Sequence, residues 1–442
     1  MKHVLPIKST YVSNWGIWEC VRELIQNAKD EEDENDHKMT VTHKSGWLHI
    51  ENEGADLQVN ALLIGETSKA GNRKLRGEHG EGLDLAFLAG VRDEYDIRVE
   101  TKTESWTPKL EYIKAFNSAR CLVVTTRKLK NERTGVRVSV RIDRKNWLDL
   151  KKRFLFLDPP SEIMETDSGS LIMDEDRKGD IFVKGIYVMK AHKAFGFGFD
   201  LNNVRLDRDR QMIGAFDLQW ALAHIIKDAL GREPMKYAGT VMDLLDKGSD
   251  EVEYLGSALT KGSDASQALA TAFKAEHGDN AIPVGSIAES QQLDHLGAKG
   301  VVVNAATVKA LAPELGDYSE VAARLRMKPT NRYGWHDLTE VEQANLTKAE
   351  LAISSITSEH MKVKAQLQVV DFADGSIEGS CNLGSGEIKV ARSQCGNYFD
   401  LMEVMVHEVA HAVSQAQDGT ISHVRTIEKM WRRLYEDASV DA

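Results

Sequence analysis

Cysteine is scarce in this chain: four residues among 442, Cys20, Cys121, Cys381 and Cys395, far apart and with no C-x-x-C pair. That excludes a disulfide framework and a thiolate zinc knuckle, and it fits a reducing cytosol. Long apolar runs are lacking too. Met1-Lys2-His3-Val4-Leu5-Pro6 has no signal-peptide core, and no stretch approaches the roughly 20 apolar residues that cross a bilayer. A soluble, cytoplasmic protein with no membrane partner is expected. No internal repeat or low-complexity segment is present. Positive charge is in deficit, with a formal net charge of -12, so a whole-protein role as a nucleic-acid coat is excluded and nucleic acid is not a favoured partner. The acidic excess is uneven: residues 1–150 carry 24 Lys+Arg against 24 Asp+Glu. An anionic ligand therefore fits the N-terminal part better.

What is present is an ordinary globular balance, 42% hydrophobic and 28% charged, in a chain long enough for several cores. The pattern predicts an α+β multidomain protein. Residues 1–150 read as α/β, with a helix over Asn14–Asp30. The acidic tract Glu31–Glu34 follows as a solvated helix end and loop. Strands are expected at 39–43 and 47–51, a glycine-rich loop and helix at 77–90, and β-rich segments near 95–103, 109–115, 121–127 and 135–142. Residues 151–245 carry a strand pair over 180–188 and the helix Leu218–Leu230. Residues 246–334 form a linker and small α/β region: helix 265–276, strand 281–284, helix 287–296, strand 300–303, helix 305–312. Residues 335–442 form the last domain.

The first helix holds Glu23, Asn27 and Asp30. At about 100° per residue, Asn27 and Asp30 fall within about 40° of Glu23, so the three share one narrow face. An exposed polar stripe would explain that face alone. Two more motifs follow in order: Asn52-Glu53-Gly54-Ala55-Asp56 after a strand, then Thr67-Ser68-Lys69 and Arg76-Gly77-Glu78-His79-Gly80-Glu81-Gly82. Closely spaced glycines opening a helix let backbone N–H groups approach a phosphate.

Order and spacing together resemble the GHKL ATPases: DNA gyrase, MutL mismatch-repair proteins, the large cytosolic heat-shock chaperone and histidine kinases. The family's E-x-x-x-N-x-x-D motif matches Glu23, Asn27 and Asp30. The resemblance implies that Glu23 polarises the attacking water and Asn27 ligates Mg²⁺. It also implies that Asn52 and Gly54 occupy the D-x-G-x-G motif, that Gly77, Gly80 and Gly82 form the glycine lid, and that Lys69 lies in a MutL-type T-S-K sequence. Three departures stand out: Asn52 replaces the adenine-reading Asp, Asp56 replaces the motif's second glycine, and the later G-T element appears exchanged, as Thr134-Gly135. An Asn accepts from the adenine amino group and donates to the ring nitrogen beside it, so ATP stays the expected nucleotide. Residues 151–245 resemble the transducer domain of the MutL and chaperone branches, which implies a basic residue on the γ-phosphate. Arg208 and Arg210 are the candidates, with a surface Arg–Asp network as the alternative.

The last domain carries His407-Glu408-Val409-Ala410-His411. Two imidazoles at i and i+4 lie on one helix face and can share one Zn²⁺, and the intervening Glu can take a proton from water. Asp400-x-x-Glu403 reads as a capping box and Asp418-Gly419 as the helix stop. Residues 380–390 read as a hairpin able to pair with an extended peptide. For the third ligand, His423 falls inside the apolar arc of Ile427, Met430, Trp431 and Leu434, whereas Glu428 falls outside it, so His423 is preferred. The arrangement resembles SprT/Spartan-like zincins, whose third His also opens a helix after a short loop. The downstream zinc-ribbon cysteines of those proteins are missing. The expected function is an ATP-binding, slowly hydrolysing zinc metalloendopeptidase with Glu408 as general base. Its substrate would be a protein or peptide, and its proteolysis would be gated by an ATP-dependent homodimer. The alternative is a MutL- or chaperone-like clamp whose zincin domain mainly binds partners. A histidine kinase is disfavoured, since no phosphoacceptor helix precedes the nucleotide motifs.

Overall fold

The computed structural model describes residues 1–63, 76, 82–191, 195–202, 204, 206, 214–357 and 367–440. Lys69, Gly77, Gly80, Arg208 and Arg210 lie outside the described residues. The protein is a mixed α+β chain of two compact units, Met1–Arg232 with Ser249–Tyr254, and Glu233–Gly248 with Leu255–Ala442. Among the described residues no helix is long and apolar enough to cross a membrane.

The first unit is built on a seven-stranded antiparallel sheet. Its strands are β1 (Lys2–Lys8), β2 (Met39–Lys44), β3 (Trp47–Glu53), β4 (Ile97–Glu100), β5 (Glu104–Ile113), β6 (Ala119–Lys128) and β7 (Gly135–Arg141), in the order β1-β6-β5-β4-β7-β3-β2. In β3 every second residue is buried, Leu48, Ile50 and Asn52, so one face meets the core, as period-2 alternation requires. The helices Ile17–Asn35 and Gly82–Arg92 pack against this core through Val21, Leu24, Ile25, Phe87 and Leu88. They approach closely at Gly90, where a Cβ would come within 2.9 Å of Cys20 Sγ and 2.5 Å of Ile97 Cδ1.

The first helix starts three residues later and ends five later than the sequence reading. Gly16 is its N-cap, with the Glu19 carboxylate accepting from the Gly16 N–H at 2.7 Å. The tract Glu31–Glu34 is helical rather than loop, with three of its four carboxylates paired: Lys29 pairs with Glu32 at 2.6 Å and Asp33 at 2.8 Å, and Glu31 with His37 at 2.7 Å. A five-stranded sheet follows, comprising β8 (Ile163–Glu165), β9 (Gly169–Ile172), β10 (Asp180–Val183), β11 (Ile186–Lys190) and β12 (Gly198–Leu201), in the order β11-β10-β12-β9-β8. The expected strand pair is β10–β11. Its two-residue turn places Lys184 (φ 52°) and Gly185 (φ 77°) in the left-handed region that such hairpins use.

In the second unit, β13 (Ala281–Val284) and β14 (Lys299–Val302) pair in parallel among helices that include Asp264–His277 and Ala305–Leu315. The C-terminal part is a four-stranded sheet of β15 (Pro329–Tyr333), β16 (Leu367–Phe372), β17 (Gly379–Cys381) and β18 (Ile388–Ala391), in the order β15-β16-β18-β17. The helices Glu340–Ile356, Tyr398–Ser414 and Ile421–Val440 share one core with it, made by Leu346, Val390, Leu401, Met405, Val409 and Met430. The hairpin expected over 380–390 is β17–β18, paired antiparallel, with β17 at the sheet edge.

Candidate functional site

The helix Tyr398–Ser414 carries the H-E-x-x-H residues, but its caps differ from the sequence reading. Asn397 is the N-cap, accepting from the Phe399 N–H at 2.9 Å, so the helix starts before Asp400-x-x-Glu403, and Asp400 lies in its first turn. At the other end Gln415 turns left-handed (φ 52°) and donates its N–H to the His411 carbonyl, stopping the helix ahead of Asp418-Gly419. The connection that follows holds Asp418, and the helix Ile421–Val440 returns His423.

These turns bring four side chains together: His407, His411, Asp418 and His423, a group that could hold a metal ion. The Nε2 atoms of His407 and His411 are 3.3 Å apart. Asp418 Oδ1 lies 3.0 Å from His407 Nε2, 3.1 Å from His411 Nε2 and 3.7 Å from His423 Nδ1. For zinc–nitrogen bonds of about 2.0–2.1 Å, tetrahedral geometry puts ligand atoms about 3.3–3.4 Å apart. His407, His411 and Asp418 lie near that spacing, and all four ligand atoms lie within 4.8 Å of one another, with His423 at the loose corner.

The outward nitrogens fix the rings. His411 Nδ1 donates to the Ala416 carbonyl at 2.7 Å, and His423 Nε2 donates to the His407 carbonyl at 3.3 Å. In the neutral rings, His411 Nε2 and His423 Nδ1 therefore turn lone pairs toward a carboxylate oxygen. Acceptors facing acceptors are reconciled by a cation between them, and a backbone partner on the far nitrogen is the usual support of a metal-binding histidine. Burial holds His407 below its ordinary value, with the two neighbouring imidazoles adding to this and Asp418 opposing it. His423 is fully buried, as the apolar-arc argument requires, while Trp431 of the same arc is half-exposed. Glu428 is exposed and is no member of the cluster.

Glu408 is buried, and that burial pushes its carboxyl up to about 7, with Asp418 adding to the rise and His411 opposing it. Strand β17 covers it. A Cβ on Gly379 would lie 2.9 Å from Glu408 Oε1, so this strand approaches the helix only because residue 379 has no side chain. The Cys381 thiol is raised to about 11 by burial and by the Glu408 charge, which makes it a poor nucleophile.

At the N-terminal motifs the structure divides the predicted face in two. Glu23 accepts from Arg22 at 3.0 Å through Oε1, while Oε2 faces Gly82, whose added Cβ would lie 2.6 Å away and 3.8 Å from Asn27 Nδ2. Glu23, Asn27 and the start of the second helix thus adjoin. Asp30 is fully buried and instead accepts from the Arg76 N–H at 2.9 Å; Arg76 also bonds Asp33 at 2.6 Å and the Lys184 carbonyl at 3.0 Å. Asn52 Nδ2 donates to the Ala28 and His37 carbonyls at 2.9 and 2.8 Å, so its N–H groups are committed to the backbone and do not reach a base. Gly54 takes φ 86° and donates to the Thr134 carbonyl at 2.8 Å. Gly135 pairs with Glu53, and a Cβ there would fall 2.2 Å from the Asn52 carbonyl oxygen, so the position requires glycine.

Sequence reasoning missed Asp418, which it treated as a helix stop, and Gly379, Arg76 and Asp84. The Asp84 carboxyl is buried, with no hydrogen-bond partner on either oxygen among the described residues, and burial raises it to about 7. Only an acidic residue inside the apolar run Leu83–Leu88 signalled it. In comparisons with known proteins, no family model matches the chain and no curated protein matches it.

Proposed function

We propose that the protein is a zinc metalloendopeptidase carrying an ATP-binding domain of the GHKL type. The observation that supports this is the convergence of His407, His411 and His423 on one point, with Glu408 on the same helix turn beneath an edge strand. The three imidazoles would hold the metal. Zinc, when bound, polarises a carbonyl and lowers the pKa of water into the neutral range. Glu408, buried and with its carboxyl raised to about 7, would take the proton from the attacking water and pass it to the leaving amine. Strand β17 offers its outer edge to an extended peptide, which would pair with it as a further strand and lie across the site.

In the first unit Asn27 would ligate the Mg²⁺ of bound ATP and Glu23 would orient the hydrolytic water, beside the helix start at Gly82. Adenine recognition passes to groups other than the Asn52 N–H donors. ATP-dependent dimerisation would set proteolytic activity. The free cysteines, three of them buried, fit a cytoplasmic setting. The test is metal analysis with peptide cleavage. Purified protein should hold about one zinc per chain, which His411→Ala and His423→Ala lose and Glu428→Ala keeps. Glu408→Gln should keep zinc and lose at least ~10²-fold in peptide hydrolysis. Wild-type cleavage by Glu408→Gln would refute the peptidase reading.

A further inference from the structure

A catalytic zinc site keeps one coordination position for water or substrate, whereas a structural site fills all four from the protein. Three histidines here leave one position, and Asp418 stands at it. Its Oδ1 is 3.0, 3.1 and 3.7 Å from the three imidazole nitrogens. Those distances put the oxygen at a vertex: at the centre of the site it would be about 2.0–2.1 Å from each nitrogen. We propose that Asp418 is a fourth, displaceable ligand that closes the metal site at rest, and that substrate must displace it before cleavage.

The placement of Asp418 allows displacement without unfolding. The residue lies in the connection Gln415–Thr420, and its side chain is 74% exposed, against 2% for His423. Among the described residues its side chain makes no hydrogen bond or ion pair outside the histidine cluster. Gln415 and Gly419, both left-handed, bracket it at φ 52° and 74°. The histidines are held differently, on two packed helices with two of the outward nitrogens tied to carbonyls. Losing Asp418 from the metal therefore costs one ligand and no packing. A peptide carbonyl entering along β17 is an oxygen ligand that could take its place. Such a site would retain metal firmly and hydrolyse little until a well-bound substrate arrives.

The proposal rests on the zinc reading, and the experiment separates the two. Full-length wild type, Asp418→Ala and Asp418→Asn are loaded with one equivalent of Zn²⁺. Zinc loss to excess EDTA and the affinity for acetohydroxamate, a small oxygen chelator of zinc, are then measured. Asp418→Ala should lose zinc on the order of 10- to 100-fold faster. It should also bind acetohydroxamate about 10-fold tighter, with Asp418→Asn between. A residue that merely holds the loop would weaken both properties together, so these opposed changes identify a ligand. Any other pattern in a zinc-loaded wild type overturns the proposal and leaves the zinc reading standing. A wild type that binds no zinc overturns both.

Discussion

Gly379→Ala should disable Glu408 without touching a metal ligand. The new Cβ would lie 2.6 Å from Val404 Cγ1 and 2.9 Å from both Cγ and Oε1 of Glu408. Carbon atoms pack at about 3.5–4.0 Å, so the shortfall is about 1 Å. Val404 cannot yield easily, because a β-branched side chain in a helix is confined to essentially one rotamer. The strain is relieved by shifting β17 outward or by turning the Glu408 carboxylate aside. Overpacking of this size costs about 1–3 kcal/mol of stability, and misplacing a reacting group by about 1 Å costs on the order of 10²-fold in rate. A shifted strand also admits water to Glu408, which lowers its raised pKa toward the ordinary carboxylate range. The acid limb of the pH–rate profile, where the base is lost to protonation, then moves to lower pH. The assay is kcat on a quenched peptide across pH, with zinc content and urea unfolding measured on the same preparation. Zinc content should not change. Ser380→Ala, whose side chain points to the other face of the strand, serves as the control. Wild-type kcat together with wild-type stability in Gly379→Ala would refute the argument that β17 positions the base.

Asp84 is buried without a partner among the described residues, and its carboxyl is raised from 3.8 to about 7. Its contribution to stability is therefore intact below about pH 4 and lost as pH rises through 7. That rise in the carboxyl corresponds to about 4 kcal/mol, less about 1–3 for the buried amide, so Asp84→Asn should gain ~1–3 kcal/mol at pH 8 and flatten the slope between pH 4 and 7; urea titrations with an unchanged slope would contradict this. Asn52→Asp restores the residue of the GHKL motif yet should destabilise by about 2 kcal/mol or more, since a carboxylate would face the Ala28 and His37 carbonyls; tighter ATP binding at unchanged stability would count against it. Glu23→Ala should bind ATP and stay dimeric, and Asn27→Ala should stay open and monomeric. Gated peptidase rates should then differ by roughly 5- to 150-fold, whereas equal rates with and without saturating ATP would mean two independent enzymes on one chain.

The elements legible in the sequence are those whose signal is local. The strands Met39–Lys44, Trp47–Glu53 and Ala281–Val284 follow from short apolar alternation and are found within two residues of their expected bounds. Helix ends were less legible because they depend on pairings the pattern does not show. Four successive acidic residues look like a solvated loop until Lys29 and His37 are placed against them. Asn397 and Asp400 are both sound N-caps by residue type, and it is Asn397 whose side chain takes the first-turn Phe399 N–H.

The same division runs through the histidine–aspartate cluster. His407 and His411 are legible because i,i+4 spacing fixes their common face, and His423 because an imidazole in an apolar arc has to turn inward. Each of these inferences needs one helix and nothing else. Asp418 needs three facts at once: that the helix stops at Ser414, that Gln415 turns left-handed, and that the next helix returns antiparallel enough to bring His423 back. Asp-Gly is a common turn signal, so its local meaning concealed its chemical one. Asn52 shows the converse. There a family motif suggested a base-reading side chain, and long-range hydrogen bonds to Ala28 and His37 commit its donors elsewhere. A motif states which atoms are available, and the backbone around it decides which of them remain free for a ligand. By that criterion the Asn52 amide belongs to the fold, while the Asp418 carboxylate remains with the histidine cluster.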